Sequence, residues 1–201
     1  MPASFRRLAV RARHLADNGA GLLRAALLLW LLAGTRSTLA IFEGRAPSLR
    51  ILGTFRAGSR LKMRSVTSRS ALSTGLAGEL ILGDRVFINQ GTVIHAERSV
   101  RIGDRVAIGD GVRIYDTGFH PVRPGQATRT EPVVIEDDVW IAAGATILSG
   151  VTIGRGTVIG AGAVVTRSVP AGSLVAGPSA SVVDHFSIPE GFQRFGASPV
   201  R

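Results

Sequence analysis

Residues 135–165 read IEDDVW-IAAGAT-ILSGVT-IGRGTV-IGAGAV-V, and a large aliphatic side chain opens every block of six: Ile135, Ile141, Ile147, Ile153, Ile159 and Val165. Four positions after each stands a small or β-branched residue, namely Val139, Ala145, Val151, Thr157, Ala163 and Val169. Glycine often follows the aliphatic residue, as at Gly154 and Gly160. A period of six matches neither an α-helix, which repeats at about 3.6, nor a lone strand, which repeats at about 2. It is the period of a parallel β-helix, in which three short strands and three tight corners make one triangular coil. The aliphatic residue fills the axis, and the small residues and glycines let the corners turn.

Outward from this stretch the register continues. Leu82, Ile88 and Ile94 form one triplet and Ile102, Ile108 and Ile114 the next, with Val86, Thr92, Val106 and Val112 at the small inward position. The spacing widens to eight between Ile94 and Ile102, so two extra residues are expected to bulge near Arg98 and Ser99. It widens to 21 between Ile114 and Ile135, where a long loop must leave the coil. Four full coils with one interruption result. Between Leu49 and Leu80 the alternation is weaker (Ile51, Phe55, Leu61, Met63, Val66), as expected of irregular first coils that cap a solenoid. Glu43–Ser48, with Gly44 and Pro47, reads as a linker. The tail from Asp184 carries Phe186, Phe192 and Phe195 and is expected to pack back over the last coil or to meet another subunit. The domain plan is an extension over residues 1–48, a β-helix over 49–183 and a tail over 184–201.

The 201 residues suit one domain with a short extension. There is no cysteine, which excludes disulfides, thiolate metal sites and cysteine nucleophiles. The net charge of +10 is segregated: residues 1–69 hold thirteen Arg and Lys against Asp17 and Glu43, while the remainder is close to neutral. A basic end points to an anionic surface, and with no nucleic-acid-binding module beside it, lipid headgroups are favoured over nucleic acid.

Residues 4–17 read as a basic amphipathic helix with Ser4 as N-cap, Phe5, Leu8, Ala12 and Leu15 on one face, and Asn18-Gly19 as its stop. A second helix is expected over 20–33. Its roughly 21 Å falls short of the ~30 Å hydrocarbon core, and Arg24 interrupts it, so it does not read as a transmembrane span. It suits a helix lying in the membrane interface or one packed on its own solenoid or on a neighbouring subunit. The long Arg-rich lead argues against a cleaved export signal. The expected location is cytoplasmic, with residues 1–33 able to hold the chain peripherally at the inner face of a membrane.

A solenoid has no cavity of its own, so chemistry belongs on its loops or between copies. The interruption reads Tyr115-Asp116-Thr117-Gly118-Phe119-His120-Pro121-Val122. His120 is the candidate general base, because imidazole titrates near neutrality, and Asp116 is placed to orient it. The four histidines (His14, His95, His120, His185) are too scattered to converge on a metal, so none is expected.

The repeat, His120-Pro121-Val122, Asp138-Val139-Trp140-Ile141, Gly150-Val151-Thr152-Ile153-Gly154 and the run Ile159 to Arg167 together resemble the hexapeptide-repeat acyltransferases, in particular the galactoside and maltose O-acetyltransferases and the capsule-polysaccharide and xenobiotic acetyltransferases. The resemblance covers about residues 80–183. It implies a left-handed parallel β-helix, a homotrimer with active sites between subunits, acetyl-CoA as donor and a sugar or glycan hydroxyl as acceptor. It implies that His120 takes the acceptor's proton, that Asn89 and Glu97 bind the acceptor, and that Trp140, Ala143, Ala161, Thr166 and Arg167 line the coenzyme A site. The chain departs from the family at Ser181 and Asp184, where basic residues usually meet the phosphates of coenzyme A; Arg167 or Arg155 would then have to substitute. The rival readings are an acetyltransferase for a small soluble alcohol and a catalytically silent β-helix scaffold.

Overall fold

The computed structural model describes residues 40–194, so the two helices expected over 4–17 and 20–33 lie outside the described residues. The described chain is all β and winds as a solenoid. The first coil is β1 (Ile41–Gly44), β2 (Ser48–Ile51) and β3 (Thr54–Ala57); the second is β4 (Lys62–Ser65), β5 (Ala71–Thr74) and β6 (Glu79–Leu82). The third is β7 (Phe87–Ile88), β8 (Val93–Ala96) and β9 (Ser99–Ile102); the fourth is β10 (Ala107–Ile108), β11 (Arg113–Tyr115) and β12 (Val133–Ile135). The fifth is β13 (Trp140–Ile141), β14 (Thr146–Ile147) and β15 (Thr152–Ile153); the sixth opens with β16 (Val158–Ile159) and β17 (Val164–Val165). A last strand, β18 (Ser173–Ala176), pairs with the antiparallel β19 (Ser181–His185), which closes the sheet.

Each strand hydrogen-bonds in parallel to its counterpart one coil away, giving three faces: A (led by β1), B (led by β2) and C (led by β3). The inward residues stack in columns. On face A, Phe42, Met63, Ile88, Ile108, Ile141, Ile159 and Val175 lie in register. On face B the column is Leu49, Leu72, Ile94, Ile114, Ile147 and Val165. All but Leu49 are at most 2% exposed, so the core is one dry aliphatic rod. Burying each such side chain contributes roughly 1.5–3 kcal/mol. The inward positions read from the hexads, Val139, Ala145, Val151, Thr157 and Ala163, are all fully buried.

Two expectations need correcting at the N-terminal end. Residues 43–48 are not a linker, because β1 and β2 already belong to a coil. Nor are the first two coils irregular: their strands are four residues long and pair in unbroken register with those above. Longer strands put two side chains inward instead of one, as with Leu80 and Leu82, which lengthens the coil and erases the period of six. Val66, read as part of this core, sits at a corner and is 57% exposed.

The close stacking makes some glycines irreplaceable. A Cβ on Gly78 would lie 2.0 Å from the carbonyl oxygen of Ala96 in the next coil. Neither backbone can yield without losing its ladder bonds. Gly78→Ala is expected to cost about 2–3 kcal/mol, read as a lowered urea midpoint with an unchanged slope.

The corner between faces C and A is held by a column of carboxylates. Asp84, Asp104 and Asp137 each accept the backbone N–H of Ser59, Asp84 and Asp104 respectively, at 2.8–2.9 Å. Buried Asp138 accepts from Arg105 Nε at 2.8 Å, and this bond holds the Arg105 guanidinium above its ordinary pKa. The tail returns across the same corner. Arg194 donates from Nε to the Asp138 carbonyl at 3.0 Å and lies over the rings of Phe186 and Phe192. Burial pushes its pKa down, against the pull of Asp138.

Candidate functional site

The chain leaves the solenoid at the corner between faces B and C, after β11, and returns at β12. The departing arm has a closed neck: Thr117 bridges Thr130, their hydroxyls 2.9 Å apart, and Gly118 N–H donates to the Arg129 carbonyl at 2.9 Å. Below the neck, Glu131 N–H donates to Ser149 Oγ at 2.9 Å. Just beyond the neck His120 N–H donates to the Gly118 carbonyl, a γ-turn centred on Phe119 with φ +59°. Positive φ at a bulky residue is strained, and the turn turns Phe119 and His120 out of the arm.

Asp116 does not orient His120. Its carboxylate is fully buried and accepts three backbone N–H groups, from Glu97 and Arg98 at 2.7 Å and from Ser99 at 2.6 Å. These are the amides of the corner widened by the two-residue insertion. A longer corner leaves N–H groups without ladder partners, and a buried carboxylate one coil above supplies the acceptors. Thr74 does the same at this corner two coils lower, its hydroxyl accepting from Leu52 and Gly53. The His120 ring is exposed and makes no hydrogen bond among the described residues.

The arm instead folds onto face B. Phe119 packs against His95, ring centroids 5.3 Å apart, and meets Tyr115 edge-on at 5.4 Å. Ser73, His95 and Tyr115 are register partners on the outward side of β5, β8 and β11. His95 is clamped: Nδ1 lies 2.8 Å from Ser73 Oγ, and Nε2 lies 3.3 Å from Glu97 Oε2. Glu97 in turn lies directly over Gly75, where a Cβ would come within 2.4 Å of its carboxylate. This cluster was missing from the sequence reading. Its members are more than twenty residues apart at the extremes, and only stacking the lengthened second coil under the third brings them together.

The remaining expected residues divide between the two edges of face B. Asn89, Ala143 and Ala161 stand at the corner where the chain enters that face, with Asn89 Oδ1 accepting the Gln90 N–H at 3.0 Å. Ala143 and Ala161 are exposed, and a Cβ on the neighbouring Gly111 or Gly162 would touch nothing within 4 Å, so this corner is open to a close-lying ligand. Glu97, Thr166 and Arg167 stand at the corner where the chain leaves. Thr166 and Arg167 are exposed. Trp140, 43% exposed, lies outward on face A between Ala107 and Val158. One chain therefore does not gather these groups around a single cavity.

At the C-terminal end Ser181 and Asp184 both lie on the exposed strand β19. Arg155 is engaged, its Nη2 donating to the Phe192 carbonyl at 2.9 Å and its Nε 3.5 Å from Asp138. Of the two arginines expected to stand in for the missing basic residues, only Arg167 is without a partner among the described residues. A shallow groove of about 440 Å³ runs along face C, lined by Ile81, Arg101, Val134 and Glu136 among others, and of the candidate residues only Arg155 borders it.

Residues 132–167 match the family model "Bacterial transferase hexapeptide (six repeats)". The chain is 49% identical over 105 residues to nodulation protein L of Rhizobium meliloti (strain 1021), covering 50% of this chain and 57% of that one. It is 41% identical over 97 residues to a plasmid-borne serine acetyltransferase of Synechococcus elongatus, covering 47% of this chain and 30% of the relative. It thus spans between about a third and somewhat more than half of the length of these relatives. Among solved structures, it resembles a hexapeptide-repeat-containing acetyltransferase of Vibrio cholerae O1 biovar eltor complexed with acetyl coenzyme A, at 26% identity and a TM-score of 0.56, over 83% of this chain and 78% of that one.

Proposed function

We infer, from a chain of the hexapeptide transferase repeat family, an O-acyltransferase that moves acetyl or another short acyl group from coenzyme A to a hydroxyl of a sugar or glycan. The observation that carries this reading is the arm, which interrupts an otherwise continuous repeat and holds His120 exposed beside the outer side of face B. The bound thioester supplies the electrophile. The imidazole of His120 accepts the proton of the acceptor hydroxyl as its oxygen bonds to the acyl carbon and the carbon–sulfur bond breaks; the proton then goes to the departing thiolate. A base so placed contributes about 10²–10⁴-fold. Asn89 and Glu97 face the acceptor, while Ala143, Ala161, Thr166 and Arg167 border the donor, with Trp140 beside them. Arg167 is the cation left to meet phosphate.

Because these groups flank face B on two different corners, the reading includes a neighbouring copy that closes the site, in the left-handed homotrimer that the resemblance implies. Turnover of acetyl-CoA with a panel of sugars tests the activity, with His120→Ala as control. The serine acetyltransferase relative supports a second reading, in which the acceptor is a small alcohol; the same panel extended to hydroxy amino acids separates the two.

The same proposal places the chain at the cytosolic side of a membrane. Residues 40–69 hold seven basic side chains against Glu43, which Lys62 and Arg64 already engage at 2.8 and 2.9 Å. Arg45, Arg50, Arg56 and Arg60 are exposed, encircle the first coil and make no ion pair among the described residues. Leu52 and Val66, both more than half exposed, stand among them. An anionic headgroup surface offers about 1 kcal/mol per Arg. Flotation should recover the full chain with phosphatidylserine vesicles at low salt, and the triple change Arg50→Ser, Arg56→Ser, Arg60→Ser should weaken that binding about a hundredfold. Equal recovery with neutral vesicles would contradict this placement.

A further inference from the structure

We propose that the exposed ring of Phe119, seated on His95 and Tyr115, is the platform on which the acceptor's pyranose ring lies, with Glu97 holding one of its hydroxyls. The inference rests on the sugar-acceptor reading above and adds to it the residue that selects a ring. Four observations converge. Phe119 is 52% exposed, and it occupies a strained positive-φ turn. Strain at a bulky residue persists only where the surroundings enforce it, and such sites cluster where ligands bind. Its ring packs on that of His95 at 5.3 Å and is met edge-on by Tyr115 at 5.4 Å, so it presents a braced face with little entropy left to lose. His95 is itself fixed by Ser73 and Glu97, so the ring on which Phe119 packs does not turn freely.

The chemistry of the seat selects its occupant. An aromatic face is electron-rich and attracts the slightly positive axial C–H groups that line one side of a pyranose. Glu97 uses Oε2 for His95, the ring on which Phe119 packs, and keeps Oε1 free among the described residues. A flat apolar face bordered by a carboxylate suits a ring with C–H groups below and hydroxyls at its rim. A linear alcohol has no such face. His120 follows Phe119 in sequence, so an acceptor resting on the ring lies next to the proposed base.

The test compares the wild-type chain with Phe119→Ala, Phe119→Leu and Phe119→Trp. Acceptor KM for methyl pyranosides should rise about tenfold in the Ala and Leu variants and return in the Trp variant, while KM for acetyl-CoA stays put. KM for a linear alcohol should not change in any of them. A fall in kcat with an unmoved acceptor KM would overturn the platform and leave Phe119 as a turn residue only. The second arm needs no turnover: saturation-transfer NMR should carry aromatic irradiation to the ring protons of a methyl pyranoside with wild type and not with Phe119→Ala. No transfer in the wild type, or equal transfer in both, overturns the platform. If the wild type shows transfer by NMR but acetylates no acceptor, the platform stands and the acyltransferase reading fails.

Discussion

Replacing His120 by alanine is expected to lower turnover of acetyl-CoA with a sugar acceptor by about 10²–10⁴-fold, without changing stability or the affinity for acetyl-CoA. The stability half follows from exposure: the imidazole makes no hydrogen bond among the described residues and fills no part of the core. The arm's neck is closed by Thr117, Thr130 and Gly118, none of which the change touches. The catalytic half follows from the proposed role as base. A variant that unfolds, or one that keeps wild-type turnover, would remove His120 from the mechanism.

Asp116→Ala should have the larger effect on folding. Three backbone N–H groups lose their acceptor when this fully buried carboxylate is replaced. A cost of about 3–5 kcal/mol is expected, visible as a lowered urea midpoint. Asp116→Asn offers one carbonyl oxygen where two carboxylate oxygens stood, and should fall between. An orienting role beside His120 would give the opposite pattern, with wild-type stability and turnover lost in both variants. The structure separates these outcomes because the carboxylate points into the corner below and not along the arm.

The same residue shows where sequence reading stops. The hexads from Leu82 onward place Leu82, Ile88, Ile94 and their counterparts inward correctly, because one inward position per strand keeps the period of six; they miss Ala96, Val100 and Val133, the second inward positions of the longer strands β8, β9 and β12. The arm was legible for the same reason, as the one long gap between Ile114 and Ile135. The first two coils were not. Their four-residue strands carry two inward positions, so Phe42, Leu49, Phe55, Met63 and Leu72 fall at uneven intervals while still stacking in straight columns. Without that register, Ser73 could not be set beneath His95, nor Gly75 beneath Glu97. Asp116 looked like a partner for His120 because four residues separate them. Its true partners lie 17 to 19 residues away, across the coil.

The site also explains why a single chain reads as incomplete. Asn89, Ala143 and Ala161 border one edge of face B, and Glu97, Thr166, Arg167 and the arm border the other. An acceptor resting against Phe119 would span part of that distance.

The most direct measurement is product analysis by mass spectrometry after incubating the full chain with acetyl-CoA and a mixture of neutral and amino sugars. A pyranose bearing one added acetyl group that mild alkali removes, formed by the wild type and not by His120→Ala, is the expected result. An alkali-stable amide, or no acetylated sugar at all, would contradict the assignment of this chain as an O-acetyltransferase.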